Sequence, residues 1–282
     1  MRVESSTVKL VNPTSEPLSV DGAGAGVQAT KNQSAAGTTG PIDAFILSIM
    51  KMKIVRSSIT LDLAGGRVPS ILLLPDIDKP IPAVLLLHGY SSSKERLSST
   101  MGHSLGARGI ASLAIDLPLH GSRDDAIFEE ARSNPMGLVQ HWTTALAEAK
   151  AALTWLGEKQ EVDSKRLGIA GYSLGSYIAL QTAAADQRVR SVMVAAGGDL
   201  PPTRWTGMVR MITDPVKSVK SLNGRPLLML HGRADRTITP EQAQRLYDAA
   251  SEPKELRWYD SGHVLPQKAG DDAAIWLNRV IA

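Results

Sequence analysis

The chain contains no cysteine. Disulfides, thiolate metal sites and a cysteine nucleophile are therefore excluded. It has no block of lysine or arginine, and a formal charge of +3 is small for 282 residues. Neither nucleic acid nor an anionic membrane is expected as a partner. No apolar run approaches the length needed to cross a bilayer, and the first thirty residues hold no apolar segment of a secretory leader. The expectation is a cytoplasmic protein with no membrane span. No metal and no cofactor are assigned.

What remains is ample for a full core, with 43% hydrophobic and 21% charged residues. Residues 1–50 differ from the rest. Asp21-Gly22-Ala23-Gly24-Ala25-Gly26 and the Ala-, Thr-, Asn- and Ser-rich stretch after it have no helical or strand period and little to bury. They read as a flexible or atypical N-terminal extension. Met50 to Val55 resembles a natural start running into a strand, so 51–282 reads as one catalytic domain.

From there strands and helices alternate. Lys53 to Leu63 and Arg67 to Leu74 read as a hairpin, and Ala83 to Leu87 as a strand covered on both faces. A helix is expected over Arg96 to Arg108, a strand over Ile110 to Ile115 and a long helix over Pro135 to Glu158. Strands at Arg166 to Ala170, Val189 to Ala196, Pro226 to Leu230 and Glu255 to Tyr259 follow. Helices at Ser176 to Ala185, Pro240 to Ala250 and Asp271 to Ile281 separate and close them. The pattern predicts an α/β fold, a mostly parallel twisted sheet with helices on both faces.

Gly171-Tyr172-Ser173-Leu174-Gly175 stands at a strand-to-helix junction. That is the arrangement of a nucleophile elbow, in which a sharp turn exposes the serine hydroxyl at the carboxyl edge of a sheet. A serine needs a base within hydrogen-bond reach. Of six histidines, His263 is best placed, on the loop after the last strand. Asp235, after the preceding strand, is the acid expected to hold its tautomer. Asp199 follows another strand and is the rival acid. Asp260 adjoins His263 in sequence, which points the two side chains apart, and Asp116 reads as a loop former. Leu174, after the nucleophile, and Tyr90, in His88-Gly89-Tyr90-Ser91, are expected to supply the two oxyanion amides. His88 and His231, each followed by glycine, read as structural hydrogen-bonders.

These motifs resemble those of the α/β-hydrolase superfamily, especially compact esterases related to dienelactone hydrolases and to cinnamoyl or acetyl esterases. The resemblance covers about residues 53–282 and rests on His88-Gly89, the Ser173 elbow, His231-Gly232-x-x-Asp235 and Ser261-Gly262-His263. Asp116 to Ser122 also looks like the family's D-x-P-x-H-G-x-S loop, which implies a place at the active-site entrance. Dienelactone hydrolases proper use cysteine, whereas this chain has Ser173; a haloalkane dehalogenase would carry aspartate there.

The resemblance implies a metal-independent serine carboxylesterase acting on a small-molecule ester. Between the strands on either side, residues 199–222 read as a short cap, with Trp205, Met208 and Met211 as possible pocket residues. So short an insertion implies short-chain or small aromatic esters. A small serine peptidase or aminoacyl hydrolase would use the same residues on an amide. A catalytically silent binding protein is the reading from another class.

Overall fold

Eight strands form one sheet in the order β1-β2-β4-β3-β5-β6-β7-β8. The computed structural model describes residues 52–281 apart from 64–65, 124–128, 130–132 and 204–205; the reading of residues 1–50 lies outside them. The strands are β1 (Ile54–Leu63), β2 (Gly66–Pro75), β3 (Ile81–Leu87), β4 (Ala111–Ile115), β5 (Val162–Tyr172), β6 (Val189–Ala195), β7 (Leu227–Gly232) and β8 (Lys254–Tyr259). β1 pairs antiparallel with β2, and β2 antiparallel with β4. Every later pairing is parallel.

The parallel centre follows from its side chains. All seven residues of β3 and all five of β4 are buried. Successive residues point to opposite faces, so Val84 and Leu86 enter one core while Leu85 and Leu87 enter the other. β1, at the edge, is mostly part-buried or exposed, with Leu61 its one buried residue. Full burial of each leucine stabilises by about 1.5–3 kcal/mol. A one-residue slip would move all of them to the wrong face.

Helices cover both faces. On one lie α2 (Pro135–Gly157), α3 (Leu174–Ala185) and α6 (Pro240–Ala249), which contribute Ala149, Leu153, Ile178 and Leu246. On the other lie the helical segment α1, spanning 94–106, and α7 (Gln267–Ile281), with Leu97, Met101, Leu105, Trp276 and Leu277. Their starts are chemically marked. Asn134 accepts the amide of Gly137 at 3.0 Å, with Pro135 in the first turn of α2. Gln242 accepts the Thr239 amide at 3.0 Å to open α6.

Several boundaries differ from the sequence reading. α1 begins at Lys94 and contains a π-helical turn over Ser98–Gly102, where the polar Ser-Ser-Thr run hides its period. β5 begins at Val162, four residues early, through the polar Asp163-Ser164-Lys165. α7 begins at Gln267, a turn before Asp271. Gly270 sits inside that helix, and a Cβ there would lie 3.8 Å from the Met101 backbone, so α7 and α1 pack closely at this point. In the 199–222 insertion, α4 (Thr206–Ile212) and α5 (Pro215–Lys220) are two short helices. Among the described residues, no helix is long and apolar enough to cross a membrane.

Candidate active site

The carboxyl ends of the parallel strands converge on one edge, the usual place for a site in an open α/β sheet. β5 ends at Tyr172 and α3 begins at Leu174, so Ser173 alone makes the turn, with φ 49° and ψ −112°. A non-glycine residue adopts that conformation only when its surroundings over-determine it. The restraints are visible. The Ser173 amide donates to Ala195 O at 2.8 Å, and Ser173 O accepts from the Ser176 amide at 2.9 Å. A Cβ on Gly171 would collide with the Gly175 carbonyl, and one on Gly175 would collide with the carbonyl of Leu87. Both glycines are therefore demanded by backbone against backbone.

His263 lies on the loop between β8 and α7. Its Nε2 is 2.9 Å from Ser173 Oγ, and its Nδ1 is 2.8 Å from Asp235 Oδ2. An ionised carboxylate only accepts, so Nδ1–H donates to Asp235 and Nε2 is left to accept from the serine hydroxyl. Asp235 is buried, on the turn after β7. Its Oδ1 accepts the amides of Thr237 at 2.8 Å and Ile238 at 3.1 Å, which leaves Oδ2 aimed at the imidazole.

The rival acids are engaged elsewhere. Asp199 is buried between Arg210 at 2.6 Å and Arg245 at 3.3 Å. The Asp260 side chain is 95% exposed and lies 3.4 Å from Arg233. Asp116, fully buried, accepts the Lys94 amide at 2.9 Å, Lys94 Nζ at 2.7 Å and the Ser122 amide at 2.9 Å. It thus ties the start of α1 to the 116–122 loop. That loop, expected to line or border the entrance, is not itself in the lining of the cavity at Ser173. Instead it stands behind Tyr90, whose ring meets His120 edge-on at 5.6 Å.

His88 shapes the loop after β3. Its Nε2 accepts the Leu117 amide at 3.1 Å, so Nδ1 donates to Gly89 O at 2.8 Å. Burial lowers its pKa to about 4, which keeps the ring neutral. His231, likewise lowered by burial, donates from Nε2 to Ile238 O at 2.9 Å. Gly89 brings the loop against Ser173; a Cβ on it would stand 3.3 Å from Ser173 Cβ. Tyr90 follows it on the cavity wall. The Leu174 amide opens α3, where the first amides of a helix have no intrahelical acceptor.

A cavity of about 560 Å³ opens onto Ser173 and His263. Leu97, Thr100 and Met101 of α1 form one wall, and Val264, Leu265 and Pro266 another. Of the three expected pocket residues, only the side chain of Met211 is described, and it does not line the cavity. Met211 is 80% exposed and is not part of the lining, because α4 turns that side chain to solvent. Trp205 and the side chain of Met208 lie outside the described residues. The sequence reading also missed Tyr172, whose hydroxyl donates to His263 O at 2.5 Å and accepts the Leu265 amide at 3.0 Å. Its place beside the nucleophile was the available signal. Among the described residues, no group of three or more histidine or acidic side chains is arranged to hold a metal.

Comparison with known proteins gives a consistent picture. The sequence model of a family described as "Alpha/beta hydrolase family" matches residues 84–267. Esterase YjfP of Escherichia coli is 26% identical over 62% of this chain and 77% of its own length. An uncharacterised protein of Mycobacterium tuberculosis is 25% identical, but the match spans only 59% of that protein. A cold-adapted esterase from an Arctic intertidal metagenomic library superposes with a TM-score of 0.64 at 20% identity, covering 82% of this chain and 98% of the other. At that identity the likeness speaks to the fold alone.

Proposed function

The chain belongs to the α/β hydrolase family, and from that premise we propose that it is a serine carboxylesterase acting on short-chain or small aromatic esters. The carrying observation is the hydrogen-bonded line from Asp235 through His263 to Ser173, at 2.8 and 2.9 Å, with a cavity at its serine end. The name of the E. coli relative, an esterase, supports the same reading.

In the proposed reaction, Ser173 Oγ attacks the ester carbonyl as its proton passes to Nε2 of His263. Asp235 stabilises the imidazolium, which Nδ1–H already faces. The carbonyl oxygen takes negative charge between the Leu174 and Tyr90 amides. Collapse expels the alcohol, which takes the proton from Nε2. Water, deprotonated by the same nitrogen, then cleaves the acyl-enzyme and returns Ser173. The chain's own groups supply every proton transfer.

A cavity of about 560 Å³ is within the usual range for small-molecule sites. This supports acyl groups of a few carbons or a single ring. Residues 199–222 serve in this reading as a cap, with α4 tied down through Arg210 and Asp199.

Turnover of a p-nitrophenyl acyl series by purified protein tests the proposal. Ser173→Ala is expected to lower kcat by about a million-fold, and Asp235→Asn by about ten-thousand-fold, as in serine proteases. Near-wild-type hydrolysis by Ser173→Ala would remove the mechanism.

A further inference from the structure

The charge around the cavity is one-sided. Its lining includes Arg96 but no aspartate, glutamate or lysine, and the only other ionisable groups besides the tyrosines belong to His263. Arg96 sits on α1 one turn before Thr100, is exposed, and lines the same cavity as Thr100 and Ser173. Thr100 uses its hydroxyl on Arg96 O at 2.8 Å. Among the described residues the Arg96 guanidinium has no ion pair and no side-chain hydrogen bond. Neighbouring cations are committed: Lys94 is locked to Asp116 at 2.7 Å, and Arg123 to the buried Glu148 at 2.5 Å.

Resting on the ester-hydrolase reading, we propose that Arg96 is a specificity residue that selects esters bearing a carboxylate on the substituent lying along α1. A guanidinium presents a planar fork of donors that matches a carboxylate in two parallel hydrogen bonds. Gln267, also in the lining and without a side-chain partner among the described residues, adds an amide donor at the same cavity. The apolar Leu97, Met101 and Leu265, which line the same cavity, suit a hydrocarbon spacer. The substrate class is thus a monoester of a dicarboxylic acid: ester carbonyl at Ser173, short apolar chain, carboxylate at Arg96. Burial raises the pKa of Tyr172, an effect that the Leu265 amide and then the Arg96 charge oppose.

The test compares monoethyl adipate with ethyl hexanoate, which differ only in a terminal carboxylate or methyl. For the wild type, kcat/KM is expected to favour the adipate at low salt, and the preference should shrink as salt screens the guanidinium. Arg96→Gln should lower the adipate-to-hexanoate ratio about tenfold, mainly through KM, because uniform binding is what is removed. Arg96→Lys should recover part of it. In parallel, calorimetry with Ser173→Ala measures adipate monoester binding without turnover, and adding Arg96→Gln should weaken it about tenfold. An unchanged ratio and unchanged binding would overturn the role of Arg96. Binding that depends on Arg96 without hydrolysis of either ester would support this subsite and count against the esterase reading instead.

Discussion

The hydroxyl of Tyr172 donates to the main-chain carbonyl of His263 at 2.5 Å and accepts the amide of Leu265 at 3.0 Å. The residue before Ser173 therefore clamps the loop that carries His263. The two rings also meet edge-on at 6.2 Å. Tyr172→Phe keeps the ring and removes only the clamp. It should lower kcat about tenfold with little change in KM, since a small misplacement of a catalytic group is costly. Tyr172→Trp, which fills the space without the bridging hydroxyl, should not restore the rate. A Phe variant with wild-type kcat would show that packing alone positions His263.

Gly171 and Gly175 face carbonyl oxygens with no room for a methyl group. Gly171→Ala and Gly175→Ala should therefore yield little soluble protein, because backbone cannot yield as a flexible side chain does. Gly89→Ala meets contacts of 3.3 Å at Ser173 Cβ and Tyr172 O. It should fold, but with kcat lowered about a hundred-fold as the Tyr90 amide moves off the oxyanion. Circular dichroism and ester kinetics separate the two outcomes; folded, active alanine variants at 171 and 175 would contradict the geometry.

His88 is held neutral, its pKa lowered by burial from 6.5 to about 4. The unfolded chain protonates this ring below pH 6.5, whereas the folded protein resists until about pH 4. The unfolded state thus binds more protons in that window, and stability is lost as pH falls through it. The loss from His88 is about 3 kcal/mol once both forms are protonated. His231, also lowered by burial, adds in the same direction. Urea unfolding from pH 7 to 4 should show this slope, reduced in His88→Asn. An equal slope in the variant would refute the assignment.

Asp199 joins α4 to the body through Arg210 at 2.6 Å and Arg245 at 3.3 Å. Asp199→Ala should quicken proteolytic cleavage within 201–214 and lower Tm by a few degrees. Part-exposed arginines limit the effect to about 1 kcal/mol. Unchanged cleavage would mean that this ion pair does not hold the insertion.

The strands and the convergence at the sheet edge were legible because they depend on local pattern. The apolar run at β3 and the glycines about Ser173 each announce their own geometry. The choice of Asp235 over Asp199 was weaker from sequence, since both follow a strand; the 2.8 Å approach to His263 separates them. The cavity wall was not legible. Apolar spacing on α1 marks Leu97, Met101 and Leu105 as inward-facing, and it is silent on whether that face meets protein or a void. The answer depends on where the 263–270 segment runs, which is tertiary. The same limit turned attention to Met211, whose apolar side chain in fact faces solvent.

The nucleophilic role of Ser173 is tested most directly by treating the protein with a fluorophosphonate and sequencing peptide 167–188 by mass spectrometry. One adduct per chain, on Ser173 and lost in His263→Ala, is the expected result. An unmodified Ser173 in the folded wild-type protein, or an adduct that forms equally well without His263, would contradict it.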